Sequence, residues 1–345
     1  MGSLTLAAAA ERPPTMRPSL SPFLNKIWRH ELLLLLILVT EWVGFSLMSP
    51  KFSTLGNGFD IIRHSVEIGL LALALTPVIL TGGIDLSVGS LLGLCAVIFG
   101  KLWRDAAIPP VAAATIAVAA GAAGGALNGC LVTRLKLPPL IVTLATLSLF
   151  RGVAEAMTHG TDTFTHFPAY FLAFGQENLC GLPTQTWPLL AVTAAIWLTV
   201  HRSTLGRSFR TIGFSPEGSL YAGLPVSRNL SLAYISLGAV AGLASVIYTA
   251  RLGQARADAG TGYELLAITS VVLGGASIFG GTGSVHGTFL GVAAIAVLNN
   301  GLIHARQPRE VAGIVTGLLL LLALSGSALT SFLRARKSPQ KTSSP

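Results

Sequence analysis

Thr81-Gly82-Gly83-Ile84-Asp85-Leu86-Ser87-Val88-Gly89-Ser90 separates the apolar run Ile61 to Leu80 from the apolar run Val88 to Trp103. Runs of this kind approach the roughly 20 residues that cross the hydrocarbon core of a bilayer. Between them a carboxylate, a hydroxyl and three glycines fall where the chain stops being apolar at membrane depth. Irregular backbone there has to be satisfied by the protein itself. The stretch points to an all-α polytopic membrane protein with interrupted helices. Asp85 and Ser87 each fit two roles. Either can cap the following helix by accepting bonds from its first free N–H groups, a contribution of about 1 kcal/mol. Either can also border the route of a polar solute, because carboxylates inside a membrane are by default functional.

The rest of the chain agrees. Of 345 residues 52% are apolar and 11% charged, where an ordinary soluble domain has about 25% charged residues. Mean hydropathy is +0.68. Apolar segments lie at roughly Glu31 to Met48, Ile61 to Leu80, Val88 to Trp103, Ile108 to Val132 and Leu140 to Met157. They resume at Trp187 to Val200, Asn229 to Ala250, Leu265 to Phe279, Gly287 to His304 and Val311 to Leu329. This predicts about ten transmembrane helices over 31–330, an amino-terminal tail over 1–30 and a carboxy-terminal tail over 331–345. An outer polar loop is expected over 159–186 and an inner one over 201–228.

Charge sets the orientation. Most of the 23 basic residues fall on one side if both termini are cytoplasmic: Arg12, Arg17, Lys26 and Arg29 in the first tail, Arg134 and Lys136, Arg202 to Arg228, and Arg334 to Lys341. The net charge of +9 therefore reads as membrane orientation and not as nucleic-acid binding. No small-residue cleavage site follows the first apolar run, so the leading segment reads as a cytoplasmic tail and not a signal peptide. Cys95 and Cys130 sit in apolar stretches and Cys180 in a loop, which excludes a disulfide framework and a paired-cysteine metal site. The seven histidines include no His-x-x-x-His pair, and His159 and His166 read as solvated loop residues, so no metal is expected.

The glycines cluster inside and between the apolar runs. Gly121, Gly124, Gly125 and Gly129 would let helix backbones approach closely in lipid, predicting a tight bundle. A second interruption, Gly274-Gly275-Ala276 onward to Gly280-Gly281-Thr282-Gly283-Ser284-Val285-His286-Gly287, resembles the first and suggests a duplicated architecture with broken or re-entrant helices. Between Arg202 and Arg228 the chain is polar and basic. There Ser215 supplies an N-cap, Pro216 a first helical position and Glu217 an acidic first turn, while Gly223 and Pro225 stop the helix after Tyr221. That short helix is a solvated connector or a knob that fits a partner.

The segment Thr81 to Gly89, with Leu273-Gly274-Gly275-Ala276-Ser277-Ile278-Phe279-Gly280-Gly281, resembles the signature of ribose-type, or simple-sugar, permease subunits of bacterial ABC importers. Leu127-Asn128-Gly129, Ile141-Val142-Thr143-Leu144, Phe150-Arg151-Gly152, Leu205-Gly206-Arg207 and Asn300-Gly301-Leu302 extend the likeness from about Ile61 to Leu302. The resemblance implies a multi-pass subunit of the bacterial inner membrane. Its implied partners are a second permease copy, identical or related, two cytoplasmic ABC ATPase subunits and a periplasmic sugar-binding protein. It also implies that Ser215 to Leu224 is the coupling helix inserted into the ATPase, with Glu217 and Gly223 in it. Two departures stand out: Gly218-Ser219 where the family tends to have two alanines, and a charged turn from His304 to Glu310 where relatives carry an apolar and aromatic stretch. The second bears on docking of the binding protein.

No Gly-x-x-x-x-Gly-Lys-Ser/Thr loop occurs, so ATP is expected to be used by a partner, leaving this chain a conduit without cofactor or enzymatic step. Gly281-Thr282-Gly283 lacks the strand and acidic partner of a dinucleotide site. A sugar brings hydroxyls and no net charge, so its path needs hydrogen-bonding side chains and small residues. Gly82, Gly83, Asp85, Ser87 and Ser90, with Asn128, Thr143, Thr146, Ser148, Asn299 and Asn300, are the candidates. The polar ones serve equally as interhelical bonds of about 0.6 kcal/mol each. Arg151 is expected to snorkel outward and pair with Glu155.

The function expected is passage of ribose, xylose, rhamnose or a related furanosyl signal molecule. A cation-coupled secondary transporter using Asp85 and Glu67 is the alternative. A membrane-embedded transferase or hydrolase using Asp85 is disfavoured by the scarcity of titratable side chains in the apolar segments.

Overall fold

The computed structural model describes residues 22–337, so Arg12, Arg17 and Lys341 of the expected tails lie outside the described residues. All ten apolar segments fall on helices. The first half holds α1 (Pro22–Met48), α2 (Leu55–Leu80), α3 (Val88–Arg104), α4 (Pro110–Thr133) and α5 (Pro139–Met157). A short α6 (Ala169–Gln176) and the antiparallel pair β1 (Asn178–Leu179) and β2 (Leu182–Pro183) follow. The second half holds α7 (Thr186–Trp197) with a π-helical turn over Leu198–Arg202, then α8 (Thr204–Phe214), α9 (Pro216–Tyr221), α10 (Val226–Leu252), α11 (Tyr263–Leu273), α12 (Val285–His304) and α13 (Arg309–Lys337).

Among the described residues six helices are long and apolar enough to cross a membrane, and α7 with α8, bent by 67°, would make a seventh. The chain is thus a polytopic helical membrane protein, while several of the ten segments are short. The α11 helix is the clearest case. It stops at Leu273, not at the expected Phe279, because Gly274 caps it and Gly275 takes φ +88°. Its 11 residues rise about 16 Å, half the hydrocarbon core.

Two boundaries also move. α1 begins at Pro22, inside the expected 1–30 tail, and α13 runs on to Lys337, past 330. Helical hydrogen bonding does not stop where a chain ceases to be apolar, and proline is tolerated in a first turn. The 159–186 loop is packed in part, while His159, His166 and residues 176–181 are exposed. Phe164, Phe167 and Phe171 are buried, with Phe167 and Phe171 ring to ring with Phe99 at 5.5 and 4.9 Å. The 201–228 loop holds two helices, because Ser203 caps a second amphipathic segment, α8, whose Phe209 and Ile212 are buried.

The core is organised by glycine, as the clustering predicted. A Cβ on Gly121 would lie 2.3 Å from the Gly238 carbonyl oxygen, and one on Gly125 would lie 2.1 Å from the Tyr234 carbonyl oxygen. Backbone therefore meets backbone along α4 and α10, which holds Asn128 and Tyr234 in fixed positions facing the α2–α3 connection.

Candidate functional site

The α2 helix ends at the first interruption through a glycine cap. Gly82 has φ +82°, its N–H reaches the Ile79 carbonyl at 2.9 Å, and the Gly83 N–H reaches the Val78 carbonyl at 3.1 Å. This turns the chain so that Asp85 points inward, 2% exposed. Its Oδ1 accepts from the Ser87 N–H and the Ser87 hydroxyl, both at 2.7 Å. Its Oδ2 accepts from Asn128 Nδ2 at 3.2 Å, and the same Nδ2 donates to the Ser87 hydroxyl at 2.8 Å. Ser87 stands at the N-cap of α3 but makes no side-chain cap bond, because its hydroxyl is committed to Asp85. Asp85 accepts from the N–H of Ser87, just before the helix, so neither side chain caps a free N–H of α3 itself. Ser90 returns its hydroxyl to the Ser87 carbonyl at 2.9 Å.

Two further helices close on this turn. Thr143 of α5 donates to the Ile84 carbonyl at 3.2 Å. Tyr234 of α10, 1% exposed, brings its hydroxyl to Gly83, where a Cβ would lie only 2.8 Å from it. The Tyr234 hydroxyl and Asn128 Oδ1 are buried without a hydrogen-bond partner among the described residues. Buried orphan polar atoms call for an explanation in ordered water or a bound polar molecule. Gly83, Asp85, Ser87, Ser90, Asn128 and Thr143 thus form one buried cluster, with Gly82 exposed at its edge. Thr146 lies one turn further along α5 with its hydroxyl returned to Val142, and Ser148 is bonded to Leu144 on the exposed face, so neither joins it.

The second interruption packs directly on the first. The Gly281 N–H donates to the Leu80 carbonyl at 2.9 Å. A Cβ on Gly280 would lie 2.8 Å from the Gly82 nitrogen. Gly213 of α8 is wedged into the same seam, where a Cβ would lie 2.1 Å from the Leu80 carbonyl oxygen and 2.3 Å from the Gly281 nitrogen. α8 leads into α9 through the single extended residue Ser215. There the Ser215 hydroxyl accepts from the Gly218 N–H at 3.0 Å and Gly223 takes φ +77°, as the short-helix reading required. Pro216 and Glu217 are exposed, and Tyr221 is 90% exposed. A protruding aromatic helix therefore stands two turns from the seam of the two glycine-rich segments.

Two other polar placements differ from expectation. Arg151 neither snorkels nor pairs with Glu155. Its guanidinium reaches the Ala257 carbonyl and, at 3.1 Å, the Ala259 carbonyl in the α10–α11 connection, because Gly93 leaves room beside it. Glu67, fully buried on α2, pairs with Arg251 of α10 at 2.8 Å. Asn299 and Asn300 lie apart from Asp85, beside a cavity between α2 and α12. Asn300 Oδ1 there accepts from Asn57 Nδ2 at 2.9 Å. Sequence reasoning missed Tyr234, Gly213 and Asn57. Only Tyr234 carried a signal, a hydroxyl inside the apolar run Asn229 to Ala250.

A family model described as "Branched-chain amino acid transport system / permease component" matches residues 57–324. The chain is 36% identical over 305 residues to the autoinducer 2 import system permease protein LsrD of Escherichia coli O9:H4 (strain HS), covering 87% of this chain and 92% of that one. The LsrD of Shigella flexneri is matched to the same extent, and that of Escherichia coli O157:H7 is 35% identical over the same length. No solved structure matches.

Proposed function

We propose, from the fact that the chain belongs to the branched-chain amino acid transport system / permease component family, that it passes a small hydroxylated solute through the bacterial inner membrane for a sugar ABC importer. The family match over 57–324 together with the LsrD likeness carries this reading. The solute is of the ribose, xylose or rhamnose class or a related furanosyl signal molecule, and the relatives' autoinducer 2 supports the last of these.

In this reading the chain crosses the membrane about ten times with both termini cytoplasmic. A second permease copy completes the pathway, a periplasmic binding protein delivers the solute, and two ATPase subunits bind at Ser215, Pro216, Glu217, Tyr221 and Gly223. ATP-driven closure of the ATPases pulls α9, and α8 carries the movement to the seam of the two glycine-rich turns through Gly213. Asp85, Ser87, Asn128 and Thr143 hold the first turn rigid, so that displacement is transmitted instead of absorbed. Weak, replaceable polar contacts suit the path itself, because a permease that held its solute tightly would release it slowly.

A cation-coupled transporter needs carboxylates free to exchange ions. Glu67 is engaged by Arg251, and Asp85 accepts three hydrogen bonds, which favours the ATP-driven reading. The deciding experiment reconstitutes the chain with candidate ATPase and binding-protein partners and measures solute-stimulated ATP hydrolysis across a sugar panel that includes autoinducer 2. Uptake that survives ATP exhaustion but stops when ion gradients collapse would reject the proposal.

A further inference from the structure

We infer that the cavity between α2 and α12 is a binding site for a small, neutral, polyhydroxylated molecule, an inference that rests on the sugar-importer reading and names a site for its solute. The cavity measures about 400 Å3, within the range of about 300–1,000 Å3 of small-molecule sites. It lies where the stripe Asn57, Ile61, Ser65 and Ile68 of α2 faces the stripe Val292, Ile295 and Asn299 of α12. Both stripes follow helical spacing, so each helix turns one continuous face to the space.

The chemistry of the wall selects the ligand. One part is apolar, made by Ile68, Val292 and Ile295. The other is a network of neutral polar groups. Asn57, 6% exposed, donates from Nδ2 to the Phe52 carbonyl at 2.8 Å and to Asn300 Oδ1 at 2.9 Å, and its Oδ1 lies 2.9 Å from His304 Nε2. These bonds fix the Asn300 and His304 side chains at the edge of the cavity. Asn299 has no side-chain hydrogen bond among the described residues, leaving an amide donor and an amide acceptor for a ligand. At the margin Asp60 is paired with Arg63 at 3.5 Å, and His64 Nδ1 contacts the Asp60 carbonyl.

A lipid chain would leave the Asn299 amide without a partner, which is costly in hydrocarbon. An anion or a cation would find no unpaired opposite charge within the amide network. A hydroxylated ring suits both walls: hydroxyls that donate and accept meet the amides, and its C–H face covers the isoleucines. The charged turn from His304 onward, where the chain departs from its resemblance, begins at this same edge.

The test uses the full chain in nanodiscs with D-ribose, D-xylose and L-rhamnose as probes, read by saturation-transfer NMR, which detects weak binding. Ring-proton saturation is expected for at least one sugar with the wild-type chain. It should be weakened about tenfold, the factor given by about 1.4 kcal/mol of lost hydrogen bonding, in Asn299→Leu. It should vanish in Ala296→Trp, which fills the cavity, and persist in Ser148→Leu on the exposed face of α5. Asn299→Leu keeps the test decisive if the tryptophan variant does not fold. Wild-type chain without saturation from any of the sugars, or saturation equal in wild type and both cavity variants, overturns the site. Cellular uptake separates the two layers: sugar import unaffected by Ala296→Trp removes the cavity alone, whereas absence of any sugar import removes the reading beneath it.

Discussion

Replacing Gly213 by alanine adds one methyl at the point where α8 meets both interruptions. That carbon falls 2.1 Å from the Leu80 carbonyl oxygen and 2.3 Å from the Gly281 nitrogen, the acceptor and donor of the 2.9 Å bond that joins the two turns. Carbon and oxygen rarely approach closer than about 3.3 Å, so a gap of about 1 Å has to open. All the obstructing atoms are backbone, and no flexible side chain can yield. Either α8 backs away or the bond is broken. Overpacking costs about 1–3 kcal/mol, and a buried amide left unpaired costs a similar amount, so either outcome costs about 1–3 kcal/mol. A reconstituted complex carrying Gly213→Ala should assemble, unfold at lower temperature, and import less solute for each ATP hydrolysed. Thr211→Ala, on the exposed face of the same helix, should match wild type. A Gly213→Ala complex with wild-type melting and wild-type import per ATP would show that α8 does not bear on the seam, and the proposed route of coupling would be wrong.

Asp85→Ala removes the acceptor shared by the Ser87 N–H, the Ser87 hydroxyl and Asn128; a loss of about 2–4 kcal/mol and of import at normal membrane levels is expected, and full uptake would reduce Asp85 to a minor cap. Glu217→Trp combined with Gly223→Val should abolish ATPase pull-down while the bundle stays folded, since Gly223 needs φ +77° and Glu217 is exposed; undiminished capture would refute the coupling role. Glu67→Gln leaves Arg251 buried without its counter-charge, at a cost of about 3–5 kcal/mol in thermal unfolding, and Arg251→Gln in the same chain should recover part of that loss. Gly125→Leu should sharply reduce the yield of monodisperse protein in size-exclusion chromatography, because its side chain would meet the Tyr234 backbone at 2.1 Å.

The spans were legible because an apolar run in lipid has one physical solution, a helix that satisfies its own backbone. The ends were less so. The apolar segment was expected to run to Phe279, yet α11 stops at Leu273, because the Gly274 backbone lies against Gly287 of α12 and Gly275 takes a left-handed conformation. That contact is long-range and leaves no mark in hydropathy. Ser215, Pro216 and Gly223 were readable for the opposite reason: a cap, a first-turn proline and a left-handed stop act within a few residues of one another. α8, just upstream, was read as connector because its polar, basic composition hid Phe209 and Ile212, two buried residues on one face.

The candidate site divides along the same line. Asp85, Ser87 and Asn128 were found because polar residues in apolar surroundings need partners, and they turn out to be one another's. Asn299 and Asn300 met the same criterion and belong elsewhere, since a helix shows its neighbours different faces and only the neighbour decides which polar group is shared. Asn57, which donates to Asn300, lies 243 residues away. The likeness between the two glycine-rich interruptions has a physical content beyond duplicated architecture. Gly280 is small because a side chain there would meet the Gly82 backbone at 2.8 Å, and Gly82 because it takes φ +82° with the Phe279 carbonyl close by. A side chain at Gly280 would part the two turns and press on Gly213, whose Cα lies 2.8 Å from the position of that Cβ. The resemblance between the segments is therefore also a record of their contact, and a substitution in one should be relieved, where it is relieved at all, by a change in the other.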